Sequence, residues 1–118
     1  MTQSIRRAHE NLEPGHIYYN SGEIYEASIN RSPASYLANP AEERAAYSHN
    51  TDREMFQLNF ISSGDSGRRV LGVVNWFAVH PTSMDNTNSL VSGDNKGAAS
   101  IIMEKRINGP GAVVGKVG

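Results

Sequence analysis

The sequence predicts an α/β fold of the α+β kind, a mixed sheet flanked by helices that makes up part of a domain. Three stretches predict it. Val70 to Val79 is an apolar run broken only by Gly72 and Asn75. A run rich in Val, Phe and Trp reads as a strand buried on both faces. Met55 to Ile61 alternates Phe56, Leu58 and Phe60 with Gln57 and Asn59, the pattern of a half-buried strand. Asp94 to Ile107 is the best helix, closed by Asn108-Gly109-Pro110, because glycine ends a helix and proline cannot continue it.

The other elements follow in order. Ser4 to Leu12 reads as a short helix with Thr2 or Ser4 as cap, ended by Pro14-Gly15. His16 to Tyr19 is a strand, Asn20-Ser21-Gly22 a turn, and Glu23 to Ala27 a second strand, together a hairpin at the sheet margin. Asn30 to Asn39 is loop. Asn39 then caps a short helix with Pro40 at its first position and acid in its first turn, running to about Tyr47. Ser48 to Asp52 is polar loop, and Ser62 to Arg68 is the turn of an antiparallel hairpin that joins the two long strands. Residues 109–118 read as a divergent or truncated tail, with AVVGKV able to begin a further strand.

The bulk numbers exclude several classes. At 118 residues and a net charge of −1, the chain has no basic cluster for a nucleic acid. No cysteine is present, so neither disulfides nor thiolate metal sites exist. No apolar run reaches the roughly 18–20 residues that span a membrane. Met1 to Arg7 has no apolar signal-peptide core.

The organising stretch is Asn75 to Ala99, NWFAVHPTSMDNTNSLVSGDNKGAA. Pro81 lacks an N–H and pushes His80 away from helical geometry, so the strand stops there. That leaves an imidazole at the tip of a rigid element, facing a polar loop, Thr82 to Ser92. A strand tip followed by a polar loop and a helix start is a common place for sites in open α/β sheets. His80 is therefore either a metal ligand or a strand-end histidine making an ordinary hydrogen bond. No second ligand sits at a telling spacing. Arg31 offers a rigid fork of donors, either for a site or for an ion pair with Glu42, Glu43 or Asp52. Ser92 or Asp94 caps the following helix, and the glycines around them permit close packing. The loop carries neither a Walker pattern nor GxGxxG, so phosphate binding is disfavoured. Asn86 and Asn88 shape the loop, and no base or oxyanion pattern marks Ser83 as a nucleophile. His9, His16 and His49 match no ligand motif. Asn30-Arg31-Ser32 fits the glycosylation pattern, but Pro33 follows directly, and the expectation is no modification.

WFAVHPTSM followed by SGDNKGAAS closely resembles the neutral ceramidase family. So do Ile29-Asn30-Arg31-Ser32-Pro33 with Tyr36-Leu37, Asn39-Pro40 and Glu43-Arg44, and Asn50-Thr51-Asp52 with Glu54-Met55. The blocks stand in the family's order from about Gln3 to Arg106. Members are zinc-dependent amidases that cut ceramide into sphingosine and a fatty acid, so the resemblance implies that the chain is a fragment of the catalytic domain. It implies Zn2+ as cofactor with His80 as one ligand, the others lying outside the chain, and ceramide or a related sphingolipid as substrate. It implies Arg31 as a catalytic or substrate-binding residue, holding the polar head or the developing oxyanion. Asp94 and Asn95 become outer groups that orient His80. Contact with a membrane surface through the lipid, and passage through the secretory pathway, are further implications. Two rivals stay open: a non-catalytic fragment or binding module that lacks the complete metal site, and a different metal hydrolase with a chance likeness.

Overall fold

The structure, a computed structural model, describes residues 1–64 and 67–109. The middle of the Ser62–Arg68 turn, Pro110 and the tail strand expected from Gly111 onward lie outside the described residues. The chain divides into two units, Met1–Ala78 and Val79–Gly118. Helices and a sheet are both present, as the sequence predicts, and both strand pairs described are antiparallel.

In the first unit, α1 (Thr2–Glu10) precedes β1 (Gly15–Glu23), and two short helices follow, α2 (Pro33–Leu37) and α3 (Ala41–Arg44). Then come β2 (Glu54–Ser62) and β3 (Val70–Phe77), with sheet order β1-β2-β3. The hairpin of β2 and β3 is as expected. A register shift between Phe60 and Ile61, which pair with Gly72 and Val70, marks a bulge on β3.

β1 departs from the expectation. Asn20, Ser21 and Gly22 form no turn; they pair with Gln57, Phe56 and Met55. All nine residues of β1 find a partner on β2, and that ladder outweighs the local turn preference of an Asn-Ser-Gly tripeptide. The chain turns later, at Glu26, which takes the left-handed region at φ 59°. The second expected strand does not form.

Smaller corrections have similar causes. Met1, not Thr2 or Ser4, is the N-cap of α1, and no side chain caps it. Its carbonyl accepts the N–H groups of Ser4 and Ile5 at 3.0 and 3.2 Å, so the helix is already under way at Thr2. Pro33 opens α2 inside the stretch expected to be loop, because its fixed φ suits a first helical position. Pro40 rather than Asn39 is the N-cap of α3, which stops at Arg44. Beyond it, Ala46 and Tyr47 donate three residues back, to Glu43 and Arg44, a tighter winding that ends the helix.

One sheet face carries Phe56, Leu58 and Phe60 of β2. The register sets them beside Ile17 and Tyr19 on one flank and Val74 and Trp76 on the other. Tyr19 and Phe56 rings stand 6.1 Å apart. This face is open: Ile17 is 65% and Trp76 54% exposed. The expectation that Val70 to Val79 is buried on both faces is not met, because β3 has a described neighbour on one side only. No hydrophobic side chain among the described residues is buried. The one buried residue among those described is Ser62, whose hydroxyl donates to Glu13 at 3.2 Å. Glu13 also takes Arg69, so one carboxylate ties the segment after α1 to the end of β2 and to the residue just before β3. No helix of this unit makes more than marginal contact with the sheet.

In the second unit, α4 (Asp94–Asn108) matches the expected helix, and Gly109 is its C-cap.

Candidate functional site

β3 leaves its ladder at Phe77, which pairs with Met55 near the start of β2. His80 therefore stands three residues past the strand, not at its tip. It is exposed, and its imidazole has no hydrogen-bond partner among the described residues. The ordinary hydrogen bond offered as the alternative reading is not made. Nor is a ligand set: no group of three or more His, Cys, Asp or Glu able to hold a metal occurs among the described residues. The residues present therefore do not by themselves fit a zinc ion, which takes three or four protein ligands.

The loop after His80 is built around Asp94. Its Oδ1 accepts the Ser83 N–H at 3.0 Å and its Oδ2 accepts that of Met84 at 2.7 Å. Asn95 N–H donates to the same carboxylate at 2.5 Å, and Ser92 Oγ accepts the Asp94 N–H at 3.0 Å. The bonds from Met84, Asn95 and Ser83 favour the charged form and hold the Asp94 carboxyl below its usual range. Asp94 adopts φ 51°, a left-handed conformation that Asp tolerates better than most residues. Gly93, not Ser92 or Asp94, is the N-cap of α4, without a side-chain cap bond. A Cβ on Gly93 would lie 2.9 Å from the Gly97 Cα, so only glycine fits this first turn. Asn95 Nδ2 reaches Ser83 Oγ at 3.5 Å, while its Oδ1 is buried without a partner among the described residues. Asp94 and Asn95 thus act on the backbone and hydroxyl of the turn that follows His80-Pro81. Further along, Asn88 Oδ1 accepts the Leu90 N–H at 3.2 Å, the loop-shaping role the sequence implies.

Arg31 lies in the first unit, exposed, with no hydrogen bond or ion pair among the described residues. The alternative ion pair with Glu42, Glu43 or Asp52 does not form. Its backbone is firmly placed. Asn30 Oδ1 accepts the Ser32 N–H at 2.8 Å, and Asn30 Nδ2 donates to the Asn50 carbonyl at 3.2 Å. Sequence reasoning missed this link, since an Asn two residues before a backbone N–H signals a local turn but nothing signals Asn50. His49, which matches no ligand motif, is hydrogen-bonded: Arg53 donates to its Nε2 at 3.1 Å. Arg53 also stacks 5.3 Å from the Tyr25 ring centroid. The Tyr25 hydroxyl donates to Glu23, and that bond, with the nearby negative charge, pushes its pKa up.

Known proteins match this arrangement of blocks over almost the whole chain. The family described as neutral/alkaline non-lysosomal ceramidase, N-terminal, matches residues 1–116. A neutral ceramidase of Oryza sativa subsp. japonica is 54% identical over 102 residues, 86% of this chain and 13% of its own length. One from Drosophila melanogaster is 49% identical over 112 residues, 95% of this chain and 15% of its own. The crystal structure of neutral ceramidase from Pseudomonas aeruginosa superposes with a TM-score of 0.76 at 44% identity, covering 89% of this chain and 16% of that one. The chain spans less than a fifth of the length of these relatives. It belongs to the neutral/alkaline non-lysosomal ceramidase family.

Proposed function

We propose that this segment works as part of a zinc-dependent amidohydrolase that cleaves the N-acyl amide of ceramide to sphingosine and a fatty acid. The observation that carries the reading is the family match over residues 1–116. Two side chains inside the matched blocks support it, since His80 and Arg31 both lack partners among the described residues. His80 contributes one imidazole donor to the metal, and residues outside this segment complete the set. Arg31 contributes a permanent charge and a rigid donor fork, aimed at the polar head of the lipid or at the oxygen that gains charge when the amide is attacked. Asp94 and Asn95 keep the turn after His80 in place. Ceramide brings the protein to a membrane surface. No helix among the described residues is long and apolar enough to cross one.

The test is fatty-acid release from ceramide by a full-length protein carrying this segment. His80→Ala and Arg31→Ala each lower kcat/KM at least about a hundredfold on this reading. Wild-type rates in both variants overturn it. A second reading, a non-catalytic piece that keeps part of the fold, suits these residues in isolation, because they contain no three-ligand group among those described.

A further inference from the structure

Arg31 stands between two residues that are each tied down, and its charged head has no partner among the described residues. On the far side, the Ser32 carbonyl accepts the N–H groups of Ser35 and Tyr36 at 3.1 and 3.3 Å, which is the opening turn of α2. On the near side stands the Asn30 side chain. Its oxygen takes the Ser32 N–H across Arg31, and its amide nitrogen reaches Asn50, twenty residues away. One orientation of the amide satisfies both bonds. Turned over, it would set its oxygen against the Asn50 carbonyl and its NH2 against the Ser32 N–H.

Asn50 lies close along the chain to residues that are bonded at the edge of the sheet. The segment that holds it runs into β2, where Asp52 Oδ1 accepts the Glu54 N–H at 2.9 Å. The Arg53 carbonyl accepts the Ile24 N–H at 2.9 Å, just past the end of β1. Backbone and hydrogen bonds together therefore lead from the start of β2, along residues 54–50 and through the Asn30 side chain, to the N–H of Ser32 beside Arg31. A side chain that uses donor and acceptor at once, over a twenty-residue gap, fixes more than a local turn. What it fixes is the residue between its two bonds.

We propose that Asn30 is a positioning residue for Arg31, setting where the guanidinium meets the substrate by tying Ser32 N–H to the Asn50 carbonyl. The inference rests on the reading of Arg31 given above. It also commits the Asn30 amide to the fold, so the Asn30-Arg31-Ser32 pattern is not used for glycosylation.

A double-mutant cycle tests this in a full-length protein carrying the segment, read as kcat/KM for fatty-acid release from ceramide. Asn30→Ala lowers kcat/KM about tenfold or more, since displacing a positioned group by an ångström costs up to roughly a hundredfold. On an Arg31→Ala background the same change adds less than about twofold, because residues that act through one another do not add. Asn30→Ser recovers part of the loss. Its hydroxyl still accepts the Ser32 N–H but cannot reach Asn50. If Asn30→Ala melts early by circular dichroism, the cycle is run with Asn30→Ser. A wild-type kcat/KM for Asn30→Ala overturns the inference, and so does a loss that multiplies in full on Arg31→Ala. Either result, with Arg31→Ala still impaired, leaves the reading of Arg31 standing. Wild-type activity in Arg31→Ala removes that reading and the inference together.

Discussion

Asp94 Oδ2 accepts the Met84 N–H at 2.7 Å from ten residues further along the chain. Its partner oxygen accepts the Ser83 N–H, so one carboxylate closes the loop that begins beside His80. The bonds favour the ionised form, and the Asp94 pKa falls below its ordinary 3.8. A group with a depressed folded pKa stabilises fully above its unfolded value and loses that contribution as pH falls through the folded one. In a full-length protein, protection of the Ser83 and Met84 amides, measured by hydrogen exchange and normalised to intrinsic rates, is therefore flat from about pH 5 to 8 and declines below 3.8. Asp94→Ala removes it at every pH. Protection that keeps falling between pH 8 and 5 would point to a different titrating group.

Two glycines of β1 respond in opposite ways to the same substitution. A Cβ on Gly15 would stand 2.6 Å from the Ile61 carbonyl oxygen, while one on Gly22 meets nothing within 4 Å. Backbone cannot step aside as a side chain can. Gly15→Ala therefore strains the β1–β2 ladder and costs about 1–3 kcal/mol. Gly22→Ala stays within about 0.5 kcal/mol or stabilises slightly, by narrowing the unfolded ensemble. Urea midpoints of the two variants in a full-length protein check the pair. Equal midpoints would show that β1 has slack to move.

What the sequence disclosed follows from the range of the forces involved. The alternation of Phe56, Leu58 and Phe60 and the punctuation around Asp94 and Gly109 are local signals, and β2 and α4 form where they predict. The Asn20-Ser21-Gly22 turn misled because its competitor, the ladder to Gln57, Phe56 and Met55, lies some thirty-five residues away. Burial of β3 was unreadable for the same reason, since an apolar run does not say which neighbours cover it. Among the candidate site residues, the identities of His80 and Arg31 stood out through their blocks. The Asn30 link to Asn50 and the turn of Asp94 back onto Met84 did not, because backbone partners leave no trace in residue type.

Metal content separates what His80 supplies from what lies elsewhere. The purified 118-residue chain binds no stoichiometric zinc, because a lone imidazole lacks the three or four protein ligands the ion takes and the described residues offer no such group. In a full-length protein, His80→Ala weakens zinc binding by more than the roughly 10–100-fold that outer-shell changes cause. Elemental analysis after dialysis reads both. Stoichiometric zinc in the short chain that survives His80→Ala would place the ligands on other residues of these 118.

The open sheet face sets the last expectation. Three strands become independently stable when a hydrophobic face is covered, and here Ile17, Tyr19, Val74 and Trp76 remain between 44% and 65% exposed. Burying a side chain of that size is worth about 1.5–3 kcal/mol, and a folded domain needs a net of about 5–15 kcal/mol after entropy is met. The ladder hydrogen bonds do not fill that gap, since each contributes only about 0.5–1.5 kcal/mol net of water. The isolated 118 residues therefore show no cooperative thermal transition by circular dichroism and no ceramide hydrolysis. Trp76→Ala barely alters the isolated chain but destabilises a full-length protein by about 3–5 kcal/mol, the range for truncating a buried aromatic. A sharp urea transition from the short chain, with a slope of about 1–3 kcal/mol/M, would mean that the face finds cover within these residues.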